Sequence, residues 1–230
     1  MFIWRTPKTE IEEIIEKDDI TDFEKLSNKI TFDFNQTIKK NNELYHYSRI
    51  PILLYCIEKN AIKCFKFALI NGADPTEKSE RILNNSWAKQ YKPVWDAYGF
   101  AGAKGNIQII RILENRSILP NNYLIEGCLQ FHQKTIFEWI KKEQYQLLTK
   151  GIKKSIYFEN YEAFDILIQN ISNLNIQINK KKETLIQYII EKNAIGILDI
   201  LISKGANLNF KDIFYIILIL WFLIKIIYKK

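Results

Sequence analysis

The sequence predicts an all-α fold of stacked helix–turn–helix repeats, and three observations carry that expectation. Ile14-Ile15-Glu16-Lys17 recurs as Ile189-Ile190-Glu191-Lys192, and the apolar positions after each copy match although the identities do not. Apolar residues make up 47% of the chain, chiefly Ile, Leu and Phe at three- and four-residue spacing, the period of a helix face. Gly 8 and Pro 5 in 230 residues are too few for the tight turns of an all-β chain.

The last copy shows the unit most fully. Thr184 opens a short apolar helix that closes at Asn193, a residue type tolerant of the left-handed conformation. Ile195, Leu198 and Leu201 then follow at helical spacing, widened by Ile197 and Ile200, until Gly205 stops the second helix. The same unit is expected at Asn60, with Ile62, Phe65 and Leu69 after it and an exit through Gly72-Ala73-Asp74. It recurs at Gly105 with Ile107, Ile110 and Leu113, and at Asp18 with Ile20, Phe23 and Leu26. Fainter copies turn near His132 and Glu159. The six turns span 175 positions in five intervals, a mean of 35. One such unit exposes an apolar face that only stacking buries, so the six together form one core.

These residues resemble the ankyrin repeat. The last unit supplies Thr184-Leu185-Ile186-Gln187, Lys192-Asn193-Ala194-Ile195, Ile200-Leu201-Ile202 and Gly205-Ala206-Asn207; the third supplies Ala101-Gly102, Lys104-Gly105-Asn106-Ile107 and Ile112-Leu113. Pro is missing after Thr184, no unit carries the usual His, and larger residues replace most of the Ala pair. More narrowly, the stretches around Phe65, Gly105 and His132 resemble divergent ankyrin proteins expanded in parasitic protists, which carry an ankyrin-like domain of unknown function. The resemblance implies a right-handed ankyrin-like solenoid over residues 1–211, with a degenerate first unit at about 9–35. It also implies a non-catalytic protein-interaction scaffold whose concave face and loops hold another, unidentified protein.

No residue pattern argues for chemistry. His46 and His132 lack Cys, Asp or Glu partners at metal-ligand spacing, and His132 falls at a turn. The glycines at 99, 102 and 105 lie inside a helix pair and not ahead of one, so they form no phosphate cradle. Glu12-Glu13 and Asp18-Asp19 read as solvated or turn positions. No cofactor, metal or small-molecule substrate is expected. Cys56, Cys64 and Cys128 are an odd number at unrelated spacings, read as buried hydrophobes in a reducing compartment. The opening residues lack the pattern of a signal peptide, so a cytoplasmic protein is expected. The net charge of +7 comes from short clusters at Lys39-Lys40, Lys141-Lys142, Lys153-Lys154 and Lys180 to Lys182, read as solvated loops and helix ends and not as a nucleic-acid surface.

Two stretches fall outside the repeat. The insertion at about 76–95 carries Trp87, Tyr91 and Trp95, which either fold down as local core or anchor a partner. The tail, residues 212–230, holds fifteen apolar residues and one Lys from Ile213 to Tyr228. Sixteen helical residues span about 24 Å, short of the roughly 30 Å hydrocarbon core of a bilayer. Three readings stand: a marginal membrane anchor, a helix packed on the last repeat or completed by another chain, and a truncated reading of a further repeat.

Overall fold

The computed structural model describes residues 8–39, 49–80, 95–169, 171, 173, 174, 176, 177 and 184–206. Twelve α-helices dominate the described residues: α1 (Glu10–Glu16), α2 (Ile20–Ser27), α3 (Ile52–Lys59), α4 (Ile62–Ile70), α5 (Ala97–Lys104) and α6 (Ile107–Glu114). They continue with α7 (Asn122–Gln130), α8 (Lys134–Glu143), α9 (Leu148–Tyr157), α10 (Tyr161–Ile168), α11 (Leu185–Glu191) and α12 (Ile195–Ser203). Contacts divide the chain into two compact units, Met1–Trp139 and Ile140–Lys230.

The helices form six pairs, and one backbone device joins each pair. The residue between partners is left-handed: Asp18 at φ 51°, Asn60 at 58°, Gly105 at 66°, His132 at 52°, Glu159 at 51° and Asn193 at 56°. Those are the six turn positions that the apolar spacing locates. Each turn residue donates its N–H to the carbonyl three positions back, as Asn60 does to Ile57 at 3.1 Å and Glu159 to Ile156 at 3.1 Å. The next residue donates to the carbonyl five back, as Ala61 does to Cys56 at 2.8 Å and Asn160 to Ser155 at 2.8 Å. This pair of bonds is the Schellman motif, which satisfies carbonyls that a helix end leaves orphaned. The left-handed residue also turns the chain back, so the second helix starts at once.

Exits use the same device. Gly72 (φ 94°) and Gly205 (φ 90°) close α4 and α12, and Ser117 (φ 60°) closes α6. Ala73, Ala206 and Ile118 donate to Ala68, Leu201 and Leu113 at 3.0, 3.2 and 3.2 Å. The two glycines were legible in the sequence; the serine was not, because side-chain chemistry does not single it out.

In the Met1–Trp139 unit the tightest contact is between α5 and α7. A Cβ on Gly102 would lie 2.3 Å from the Leu124 carbonyl oxygen, and one on Gly127 would lie 2.2 Å from the Gly99 carbonyl oxygen. The glycines therefore let two backbones touch, which explains the Gly99–Gly105 run without any phosphate. At the start of the unit, Phe23 packs on Phe32, Phe34 and Phe67, with centroids 5.2 to 6.0 Å apart. In the Ile140–Lys230 unit, Ile156, Phe164, Leu185, Ile189, Ile197 and Leu201 are buried in one cluster.

The fold is not purely helical. Strands β1 (Thr37–Lys39) and β2 (Arg49–Pro51) pair antiparallel, with Ile38 opposite Ile50 and both buried. Three-residue strands are too short to display a period of two, so the all-α expectation passes over them. The expected insertion at about 76–95 is tied down at its ends. Glu80 pairs with Arg49 across an isolated bridge, and Ser79 donates to the Trp95 carbonyl at 3.1 Å. Residues 81–94, with Trp87 and Tyr91, lie outside the described residues, as does Ile213 to Tyr228. Among the described residues no helix is long and apolar enough to cross a membrane.

Two substitutions test this account. His132 and Glu159 bear a Cβ in left-handed backbone, which disfavours non-glycine residues by about 1–2 kcal/mol. His132→Gly therefore raises the urea midpoint of unfolding. Gly102→Ala forces a methyl against the Leu124 carbonyl and lowers stability by about 2 kcal/mol or more in the same measurement.

Candidate interaction surface

Because each first helix ends and each second helix begins at the left-handed residue, the turns form their own edge. In the Met1–Trp139 unit that edge is continuous. Asp18 accepts from the backbone N–H of Lys63 at 3.1 Å and of Cys64 at 2.9 Å, one repeat onward. It thereby caps α4, whose own N-cap residue, Ala61, has no side chain able to accept. Asn106 Nδ2 donates to Asn60 Oδ1 at 2.6 Å, and Gln133 Nε2 donates to the Ala103 carbonyl at 3.1 Å. A turn side chain is thus bonded to the neighbouring repeat at each of three successive steps.

The residue just before the left-handed position is Lys17, Lys59, Lys104 and Lys192 in four turns, and Phe131 and Phe158 in two. Lys17 and Lys104 are exposed, whereas Lys59 lies 3.0 Å from Glu16 and over the Tyr55 ring at 5.3 Å. Glu16 also accepts from the Tyr55 hydroxyl at 2.9 Å and pairs with Lys8. Partial burial pushes its carboxyl up, but the hydrogen bonds from Lys8, Lys59 and Tyr55 outweigh this and bring it from 4.5 down to about 2.

In the Ile140–Lys230 unit the corresponding edge is aromatic. Tyr157 and Tyr161, 41% and 44% exposed, flank the Glu159 turn, and Ile195, 57% exposed, follows the Asn193 turn. Tyr157 meets Phe158 edge-on at 5.1 Å. The Tyr161 ring lies where a Cβ on Gly196 would approach it to 2.8 Å, so the glycine seats the tyrosine. Sequence reasoning missed these residues because their apolar character fits the helix stripe; their place beside the turn was the signal. An exposed Tyr and Ile cluster suits a partner's apolar surface, since aromatic rings supply much of the energy at protein interfaces.

The candidates read from the sequence fare differently. Trp95 is 1% exposed, with its ring edge-on to Phe100 at 6.1 Å and to Phe131 at 6.0 Å. It is core, a correction to its candidacy as a contact residue, because it fills the space left by Gly99, whose Cβ would lie 2.4 Å from Trp95 Cβ. Trp87 and Tyr91 fall outside the described residues. His132 is exposed and sits at its turn. Cys56, Cys64 and Cys128 are free and buried, and burial pushes the Cys64 and Cys128 thiols up to about 12, far from nucleophilic thiolates. Among the described residues no three His, Cys, Asp or Glu side chains cluster as metal ligands. A groove of about 300 Å³ between α1 and α2 is lined by charges of both signs, including the pairs Asp22–Lys25 at 2.8 Å and Glu10–Lys29 at 3.2 Å.

No protein-family model matches the sequence, and no curated protein matches it. Solved structures do resemble it. The ankyrin repeat domain of human ASB11 superposes with a TM-score of 0.54 at 11% identity, covering 88% of this chain and 86% of that one. A chain from the complex of a predatory endopeptidase of Bdellovibrio bacteriovorus with its immunity protein gives 0.52 at 16%, covering 87% and 100%. An ankyrin repeat domain from Acinetobacter baumannii gives 0.47 at 17%, covering 86% and 98%. The chain has an ankyrin-like fold.

The edge makes two predictions. Asp18→Ala removes the cap on α4 and costs about 1 kcal/mol in chemical denaturation, whereas Asp18→Asn, which keeps an acceptor oxygen, costs less. Because the folded Glu16 carboxyl titrates near 2 against an ordinary 4.5, its stabilisation is complete above about pH 4.5 and is lost as pH falls through 2. The stability gap between wild type and Glu16→Gln therefore narrows from pH 5 to pH 2 in urea titrations.

Proposed function

We propose that the chain is a non-catalytic scaffold that holds another protein, and that the turn edge, with its exposed Tyr157, Tyr161 and Ile195, takes part in the contact. The observation that carries this reading is the separation of labour at each turn. Backbone bonds fix the geometry identically in six places, while the side chains beside them run from Lys to Phe to Tyr. Residues that the fold leaves free to vary are the ones a repeat protein uses for recognition. Trp87 and Tyr91 are proposed as further contacts from the insertion.

The proposed partner is a protein and not a nucleic acid, since the basic edge residues are interleaved with Glu16, Glu58 and Glu191. No cofactor or small-molecule substrate enters the reading. A cytosolic home, and a place among the divergent ankyrin proteins of parasitic protists, belong to the proposal as well. Three cysteines, an odd number at unrelated spacings, fit a reducing compartment.

Affinity capture from native lysate tests it. A partner recovered with wild type and lost with Tyr157→Ala/Tyr161→Ala, at a melting temperature within a few degrees of wild type, is the expected result. Capture that is unchanged by those substitutions removes the edge from the contact. Retention on RNA or heparin with a steep salt dependence would favour a nucleic-acid binder instead.

A further inference from the structure

Superposing the six turns by register exposes a strip on α12 that the other second helices do not show. Five positions after the left-handed residue stand Phe23, Phe65, Ile110, Phe137 and Phe164, all buried; the counterpart Leu198 is only partly buried. Nine positions after it three units carry Ser27, Glu114 and Lys141, and of the three apolar residues there Leu69 and Ile168 are 5% and 2% exposed while Ile202 is 40% exposed. In two of these pairs the next repeat visibly covers this face. Phe23 meets Phe67 of α4 at 5.2 Å, and Phe164 shares its buried cluster with Ile197 and Leu201 of α12. Leu198 and Ile202, one turn apart, are thus the apolar strip on which a successor would stack.

We propose that this strip is covered by the chain's own residues 213–228, which act as a further stacking element and not as a membrane anchor. The sequence runs on from α12 with 24 residues, 207–230, and fifteen of the sixteen from Ile213 to Tyr228 are apolar. The six residues 207–212 reach about 20 Å when extended. Running back along α12, about 14 Å, and stepping across to a packed neighbour, about 10 Å, needs about 17 Å. The apolar segment lies within reach of a strip that lacks the burial of its apolar counterparts among the described residues. Stacking there removes both apolar surfaces from water, the driving force that holds every earlier repeat.

Thiol labelling of the full-length chain tests this, with wild type as baseline because its three cysteines are buried. Ile202→Cys and Ile195→Cys place one thiol on the strip and one on the exposed turn edge of the same helix. Cys at 195 reacts freely with a maleimide, and Cys at 202 reacts at least about tenfold more slowly. That protection holds at all protein concentrations without lipid, and Ile217→Asp/Leu220→Asp abolishes it. Equal rates at the two positions overturn the proposal. So does protection that survives the tail substitutions, that grows with protein concentration (a second copy on the strip), or that needs phosphatidylcholine–phosphatidylserine vesicles (a bilayer).

Discussion

Everything in this structure depends on a residue held in left-handed backbone between two short helices. A helix of seven or eight residues is marginal on its own, and its last carbonyls would point unpaired into the turn. The left-handed residue solves both problems at once. It folds two N–H groups back onto those carbonyls and sends the chain into an antiparallel partner that buries the first helix's apolar stripe. Asp, Asn, Gly, His, Glu and Asn occupy the six places, so the constraint acts on backbone shape and tolerates varied chemistry.

That tolerance links the fold to its use. At two turns the short polar side chain bonds to the neighbouring repeat, Asp18 to α4 and Asn60 to Asn106. Because α4 has no capping side chain of its own, it gains its cap only when its neighbour is folded, which ties these adjacent repeats together in the manner of a nearest-neighbour chain. Farther along, at Glu159 and Asn193, the same positions are flanked by Tyr157, Tyr161 and Ile195, and the surface changes from polar to aromatic without a change in backbone.

The close approach of α5 and α7 is a second expression of the same economy. Gly99, Gly102 and Gly127 remove side chains where two backbones meet, and Trp95 fills the volume beside them. From sequence the glycine-rich stretch reads as lying inside a helix pair, and the tryptophan as either local core or an interface anchor; in space they are one packing solution. Neither residue type reveals its role until its neighbour across the helix pair is known.

Periodicity, turn-prone residues and the scarcity of glycine and proline were enough to place six helix pairs and their turns, because those are short-range properties written within about twenty residues. The short strands at Thr37 and Arg49 and the burial of Trp95 were decided by tertiary contacts. A three-residue strand and an aromatic ring each have several acceptable local states, and only a partner distant in sequence selects one. The candidate surface divides the same way. The sequence determined which residues stand beside each turn, and the folded neighbours determined which of them, such as Ile195 rather than Ile197, face water.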